Sequence, residues 1–173
     1  MAVTSFDPRN PKLQCTSGKI PQITNRYSEA DSQSFKAGQF VYFNSGAVTV
    51  AADGTVAVAG IALKDATNVS SSSGNIVIPV QLLTPEDEVL IQVCNVSGTL
   101  EAANTTCVPG LPYDLQEVST NLQYIDSSDT TNDKFVFIEA MLDGAGSATY
   151  WGRFRPYFGE NQNTGGAIAV EAS

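Results

Sequence analysis

Residues 35–63 read FKAGQFVYFNSGAVTVAADGTVAVAGIAL. Two runs in it, Phe40-Val41-Tyr42-Phe43 and Val48-Thr49-Val50, combine β-branched and aromatic side chains that suit a pleated, half-buried surface. A third run, Thr55-Val56-Ala57-Val58, follows. The pairs Ser45-Gly46 and Asp53-Gly54 punctuate them. Asp-Gly between alternating apolar residues is a strong hairpin signal, because both central positions of a type I′ turn need positive φ. The stretch therefore predicts a small β-meander formed from local information. None of its side chains is chemically reactive.

Downstream of it the same grammar continues. Gly60-Ile61-Ala62-Leu63 ends a strand, and a polar loop through Ser70-Ser71-Ser72-Ser73-Gly74 follows. Residues 76–83 predict a strand in which Pro79 signals an edge or a bulge, since proline cannot donate to a ladder. After the turn Thr84-Pro85-Glu86-Asp87-Glu88, residues 89–96 alternate as a strand with a buried face. Residues 101–112, with Pro109, Gly110 and Pro112, form a longer connection. Further strands are predicted over 113–118, 122–125, 134–142 and 148–157, and the last is rich in aromatics. No convincing amphipathic helix and no exact internal repeat are present. The spacing of short strands and turns predicts an all-β protein, a single β-barrel or β-sandwich domain built from hairpins over residues 35–158.

Upstream, residues 1–34 carry Pro8, Pro11 and Pro21 and no sustained periodicity, which excludes a helix interior or a central strand. Their apolar residues, among them Phe6, Leu13 and Ile20, are spaced like anchors along an extended N-terminal arm that lies on its own body or on a neighbour. Residues 159–173 read as a flexible C-terminal tail.

The chain has 173 residues, 42% hydrophobic and 16% charged, which suits one folded domain. Its net charge of −9 argues against nucleic acid or anionic lipid as the main partner. The charge is split. Residues 1–36 hold five cations against three acids, a net +2, and the remainder holds four cations against fifteen acids, a net −11. The N-terminus shows no secretory pattern and no run approaches a membrane span, so a cytosolic origin is expected. Cys15, Cys94 and Cys107 are odd in number and predict buried or half-buried thiols, with a Cys94–Cys107 bridge as the alternative.

The sequence contains no histidine, which removes Ser-His-Asp and Cys-His nucleophilic sites. The cysteine spacing does not fit zinc. Glu86-Asp87-Glu88 could supply a carboxylate pair for glycoside hydrolysis, but a solvated acidic turn is the plainer reading. Residues 126–133, DSSDTTND, could offer oxygen ligands to calcium, yet lack the glycine and glutamate of an EF-hand loop. No enzyme activity, cofactor or metal is expected.

The most unusual composition is Tyr150-Trp151-Gly152-Arg153-Phe154-Arg155-Pro156-Tyr157-Phe158. On a strand, Trp151, Arg153 and Arg155 share one face, and Tyr150 and Phe154 share the other. Trp, Tyr and Arg dominate protein interfaces. This strand is a candidate interface, together with Phe6, Arg9, Leu13, Ile20 and Arg26 of the arm. The plainer alternative has Tyr150 and Phe154 facing the core while the arginines answer nearby carboxylates.

Lys36-Ala37-Gly38-Gln39-Phe40-Val41, Gly46-Ala47-Val48 and Val58-Ala59-Gly60-Ile61-Ala62 resemble a β-meander pattern of tailed-bacteriophage capsid decoration (cement) proteins. The likeness covers about residues 35–83. It implies a structural virion protein, assembled in the host cytoplasm, that binds the outer capsid surface. Its expected partner is the major capsid protein, and its expected state a homo-oligomer, with a trimer favoured. In keeping with the net charge of −9, no nucleic acid and no membrane partner is expected. A receptor- or glycan-binding β-module of a phage head fibre or tail is the alternative.

Overall fold

A computed structural model describes residues 12–15, 24–52, 58–68, 74, 76–119, 122–131 and 134–157. The chain is all-β. Its first strands are β1 (Lys12–Cys15), β2 (Thr24–Ser28), β3 (Ser34–Phe35), β4 (Phe40–Asn44), β5 (Ala47–Val50), β6 (Gly60–Ala62), β7 (Ala66–Thr67) and β8 (Val77–Leu82). Next come β9 (Glu88–Cys94), a single helical turn α1 (Ala103–Thr106), β10 (Pro112–Ser119), β11 (Leu122–Asp126), β12 (Phe135–Leu142) and β13 (Ala148–Pro156).

These strands form two small barrels in tandem. In the first, the antiparallel order is β2-β8-β6-β4-β5. The sheet curls until Glu29, just past β2, bridges Val48 of β5 in parallel, and the Ala30 amide donates to the Val48 carbonyl at 2.8 Å. In the second, β9-β11-β10-β12-β13 closes through an antiparallel β13–β9 pairing, and its β9–β11 seam is parallel. Closure removes the open edges that would otherwise invite pairing with another chain. Strand β1 adds to β9, and β3 pairs with β7 as a two-stranded ribbon.

The two barrels share one topology. In each, the first strand of the five pairs with the fifth, the fifth with the fourth, the fourth with the second, the second with the third, and the third returns in parallel to the first. They also share one register. Val41 opposite Gly60 corresponds to Tyr113 opposite Phe135, and Ala62 opposite Val80 to Phe137 opposite Phe154. Tyr27 opposite Ile78 corresponds to Ile91 opposite Gly152, and Phe43 opposite Val48 to Leu115 opposite Ile125. The Glu29–Val48 bridge corresponds to Val93 opposite Ile125. The correspondence returns to its start without a slip. The entry turns match as well: Gly38 and Gly110, at φ 93° and 85°, donate at 2.8 Å to Ala62 and Phe137 respectively. Only glycine takes that φ readily, and it is the one residue common to Lys36–Val41 and Val108–Tyr113.

The interiors are filled differently. The first barrel holds Val41, Val48, Ala62, Ile78 and Val80, with Phe35 of β3 packed among them. The second holds Val89, Ile91, Val93, Tyr113, Leu115, Ile125, Phe135, Phe137 and Phe154. Where the first barrel has Ala62 beside Ile78, the second has Phe137 beside Gly152. A Cβ on Gly152 would lie 2.6 Å from the Phe154 ring and 2.9 Å from that of Phe137, so the rings occupy the space the glycine leaves.

The barrels meet through the outer face of the first. Phe40, Ala51, Val58, Ile61 and Leu83 join the core of the second, and the rings of Phe40 and Phe135 lie 4.6 Å apart. Gln123 of β11, fully buried, fastens the contact. Its Oε1 accepts from the Phe40 amide at 2.6 Å, and its Nε2 donates to the carbonyls of Ala51 at 2.6 Å and Phe40 at 3.1 Å. Helix α1 packs on β12 and β13 with Ala103 in the core.

Several expectations are corrected. Among the described residues of 35–63 the strands do not follow a meander, because β6 pairs with β4 on the side opposite β5. The one described hairpin turn there is Ser45-Gly46, whose φ values of 51° and 83° suit type I′. The Asp53-Gly54 turn and the run Thr55-Val56-Ala57 lie outside the described residues. Pro79 sits neither on an edge nor in a bulge, since β8 runs between β2 and β6 with an unbroken register. Its carbonyl accepts from Leu63, the residue after β6. Its missing N–H therefore falls at the end of that ladder, where one lost bond costs least. The arm's segments β1 and β2 pair with the body, which fits their flanking prolines: β1 is an edge, and β2 meets β5 only through the bridge beyond its own end.

Candidate interaction surface

Alternation along β13 sorts its side chains as the sequence reading requires for most positions. Gly152 and Phe154 point into the second barrel, while Trp151, Arg153 and Arg155 lie on the outer face. Tyr150 departs from the expectation of a core-facing partner for Phe154 and is exposed. The β12–β13 hairpin outruns the ring there: the β9–β13 pairing ends at Gln92 opposite Trp151, and Tyr150 lies beyond it.

Both arginines are held by carboxylates. Arg155 Nη2 lies 2.7 Å from Glu88 Oε1, and Arg153 Nη1 lies 3.3 Å from Glu88 Oε2. Arg153 Nη2 also pairs with Glu139 across the hairpin. The Glu88 hydrogen bond is the main reason that the Arg155 pKa is raised. Pairs this exposed contribute little to stability, about 0.2–1 kcal/mol each. Their consequence is that the two guanidiniums are offset by Glu88 and Glu139, with Glu86 also acting on Arg155. Two buried polar atoms on this face have no hydrogen-bond partner, the Arg153 Nε donor and the Gln92 Oε1 acceptor. Their residues are diagonal neighbours across β13 and β9.

The other predicted interface residues divide. Leu13 stands opposite Val89 on β1, so the arm strand and β13 flank β9 from its two sides, roughly 10 Å apart at the usual strand spacing. Arg26 lies on β2 of the first barrel, opposite Pro79 and exposed, and is not part of the sheet that carries Trp151. Phe6, Arg9 and Ile20 lie outside the described residues.

The sequence reading missed an apolar patch beside the arginines. Val136 faces Arg155 on one side and Pro112 on the other, and the exposed Leu111 and Tyr157 flank them. These residues come from β10, β12 and the end of β13, so no local pattern announces them.

Among the described residues no group of three or more His, Cys, Asp or Glu side chains could hold a metal. Within the 126–133 loop, Asp126 Oδ1 accepts from the Ser128 amide and hydroxyl, and Asp129 Oδ1 from those of Thr131. Those carboxylates shape turns. Cys94 and Cys107 are buried free thiols. Burial, with Asp126 and Glu101 nearby, pushes the Cys94 thiol up to about 12, and burial pushes Cys107 up to about 11. No described helix is long and apolar enough to cross a membrane. No protein-family model, curated protein or solved structure matches the chain.

Proposed function

We propose that this chain is a structural virion protein that binds the outer surface of a phage capsid and stabilises it by bridging neighbouring capsid subunits. The observation that carries the reading is the outer face of β13, where Trp151 stands with Arg153 and Arg155, both paired with carboxylates, across β9 from the strand contributed by the arm. An acidic protein with one such face has a defined place to meet a partner without like-charge repulsion. The resemblance to decoration proteins supports the same reading. The segments that carry it, around Phe40-Val41 and Gly60-Ile61, pair directly in the first barrel. In this reading the chain binds and does not catalyse, the major capsid protein is its partner, and it acts as a homo-oligomer, with a trimer favoured. Many weak contacts repeated over a lattice add through multivalency.

The test is co-sedimentation with expanded empty shells. A Trp151→Ala/Arg155→Glu variant and a truncation lacking residues 1–11, which spares β1 and β2, should each lose binding and shell stabilisation. Wild-type-like binding by both sinks the reading. A second reading, glycan or receptor binding, draws on the unpaired Arg153 Nε and Gln92 Oε1 beside Trp151, since sugar sites combine an aromatic surface with a few placed polar groups. Glycan arrays with Trp151→Ala as control separate the two.

A further inference from the structure

The tandem repeat of one barrel shows what the apolar patch at Leu111, Pro112, Val136 and Tyr157 is shaped to meet. In the shared register, Pro112 takes the place of Phe40, Val136 that of Ile61, Tyr157 that of Leu83, and Leu111 that of Gln39. Two further hydrogen bonds fix this alignment: the Leu83 amide donates to Ala59 and the Tyr157 amide to Lys134. In the first barrel this patch is sealed against a neighbouring barrel, with Phe40 0% and Leu83 7% exposed. In the second barrel Tyr157, the counterpart of Leu83, is 37% exposed, Pro112 and Val136 are half-buried, and Leu111, which replaces the buried Gln39, is 45% exposed.

We infer that the patch at Leu111, Pro112, Val136 and Tyr157 is a barrel-docking surface that a second copy of this chain covers. Three observations favour that occupant. First, the equivalent apolar positions Phe40, Ile61 and Leu83 are already buried against a barrel of this same topology within the chain. A stacked repeat whose last unit keeps an apolar outer face is an array without its cap, and arrays of this kind need a polar terminal face to stay solitary. Second, Phe40 brings an amide that must be satisfied on burial, which Gln123 does at 2.6 Å. Pro112 has no N–H, so burying the second patch strands no donor at that position. Third, two copies that each carry a net charge of −9 repel unless they meet where charge is cancelled, and the patch is rimmed by the Arg155–Glu88 pair, with Val136 directly opposite Arg155. The inference stands on the repeat and holds with or without a capsid partner.

The experiment is sedimentation equilibrium of the purified full chain over a concentration series, without shells. Wild type should exceed the monomer mass of 18.3 kDa in a concentration-dependent way. A Leu111→Asp/Tyr157→Asp variant should return to that mass while keeping the wild-type circular dichroism spectrum. A Val96→Asp control, at an exposed apolar residue elsewhere, should behave as wild type. As an independent measure, amide exchange over residues 108–113 and 135–137 should slow between dilute and concentrated wild-type protein. A monomeric wild type at every concentration overturns the inference. So does an unchanged mass for the double variant, dissociation by the Val96 control, or amide exchange indifferent to concentration.

Discussion

At the scale of single residues, Gln123 carries more of this fold than any ionic contact on its surface. Its amide serves the Phe40 amide and the Ala51 and Phe40 carbonyls, the last of which also accepts from the Ala51 amide at 2.9 Å. Buried donors and acceptors left without partners cost about 1–3 kcal/mol each. Gln123→Leu keeps the bulk and removes every bond, so we expect a loss of about 2–4 kcal/mol, read from the urea midpoint. The buried thiols make a separate residue-level prediction. Their folded pKa values, about 12 for Cys94 and about 11 for Cys107, stand above the ordinary value of 9.0. The folded state therefore keeps both protonated while the unfolded state ionises. Their contribution is fully present below pH 9.0 and is lost as the pH rises toward the folded values. Wild type should lose more stability than a Cys94→Ala/Cys107→Ala variant between pH 9 and 11, measured by urea unfolding. Equal losses would mean that the thiols ionise alike in both states.

At the scale of elements, the second barrel depends on the match between a missing side chain on β13 and two rings on β12 and β13. Gly152 lies beneath Phe137 and Phe154, whose rings are 5.2 Å apart. Both rings are buried and cannot swing away, so Gly152→Ala should destabilise by about 1–3 kcal/mol through overpacking. The corresponding change in the first barrel, Ile78→Ala, should instead open a cavity and cost about 2–5 kcal/mol. Opposite signs of volume change at equivalent positions, both destabilising in thermal melts, would show that one backbone is packed in two ways. Strand β8 makes a related point. A proline is tolerated between two neighbours because its missing donor coincides with the end of a ladder.

At the scale of the molecule, two barrels of one design are fused into a shared core, since the outer face of the first closes the interior of the second. The arrangement is directional. Every unit of such a stack has a face that is covered and a face that covers, and the final one presents an apolar patch where the array stops. The aromatic-basic strand and that patch are adjacent on the second barrel, so self-association and partner binding would be organised on one side of the chain. The acidic remainder of the surface keeps other faces apart.

The sequence by itself determined the all-β class, the extents of β8 to β13 to within a residue or two, the Ser45-Gly46 turn and the alternation that puts Trp151, Arg153 and Arg155 outward. These are local properties: period-2 burial and positive-φ turns are written in neighbouring residues. Only the tertiary structure decided which strands pair, and with it that Asp114 and Lys134 are buried together and that Tyr150 lies beyond the ring. The repeat was invisible for a physical reason. A barrel register is fixed by backbone hydrogen bonds, which form whatever the side chain, proline excepted, whereas the interiors trade Ala and Ile for Phe and Gly at similar volume. Of the residues 35–63 that announced the fold, only Gly38 has a counterpart of the same kind in the second entry turn. That is the one position where backbone conformation dictates the side chain.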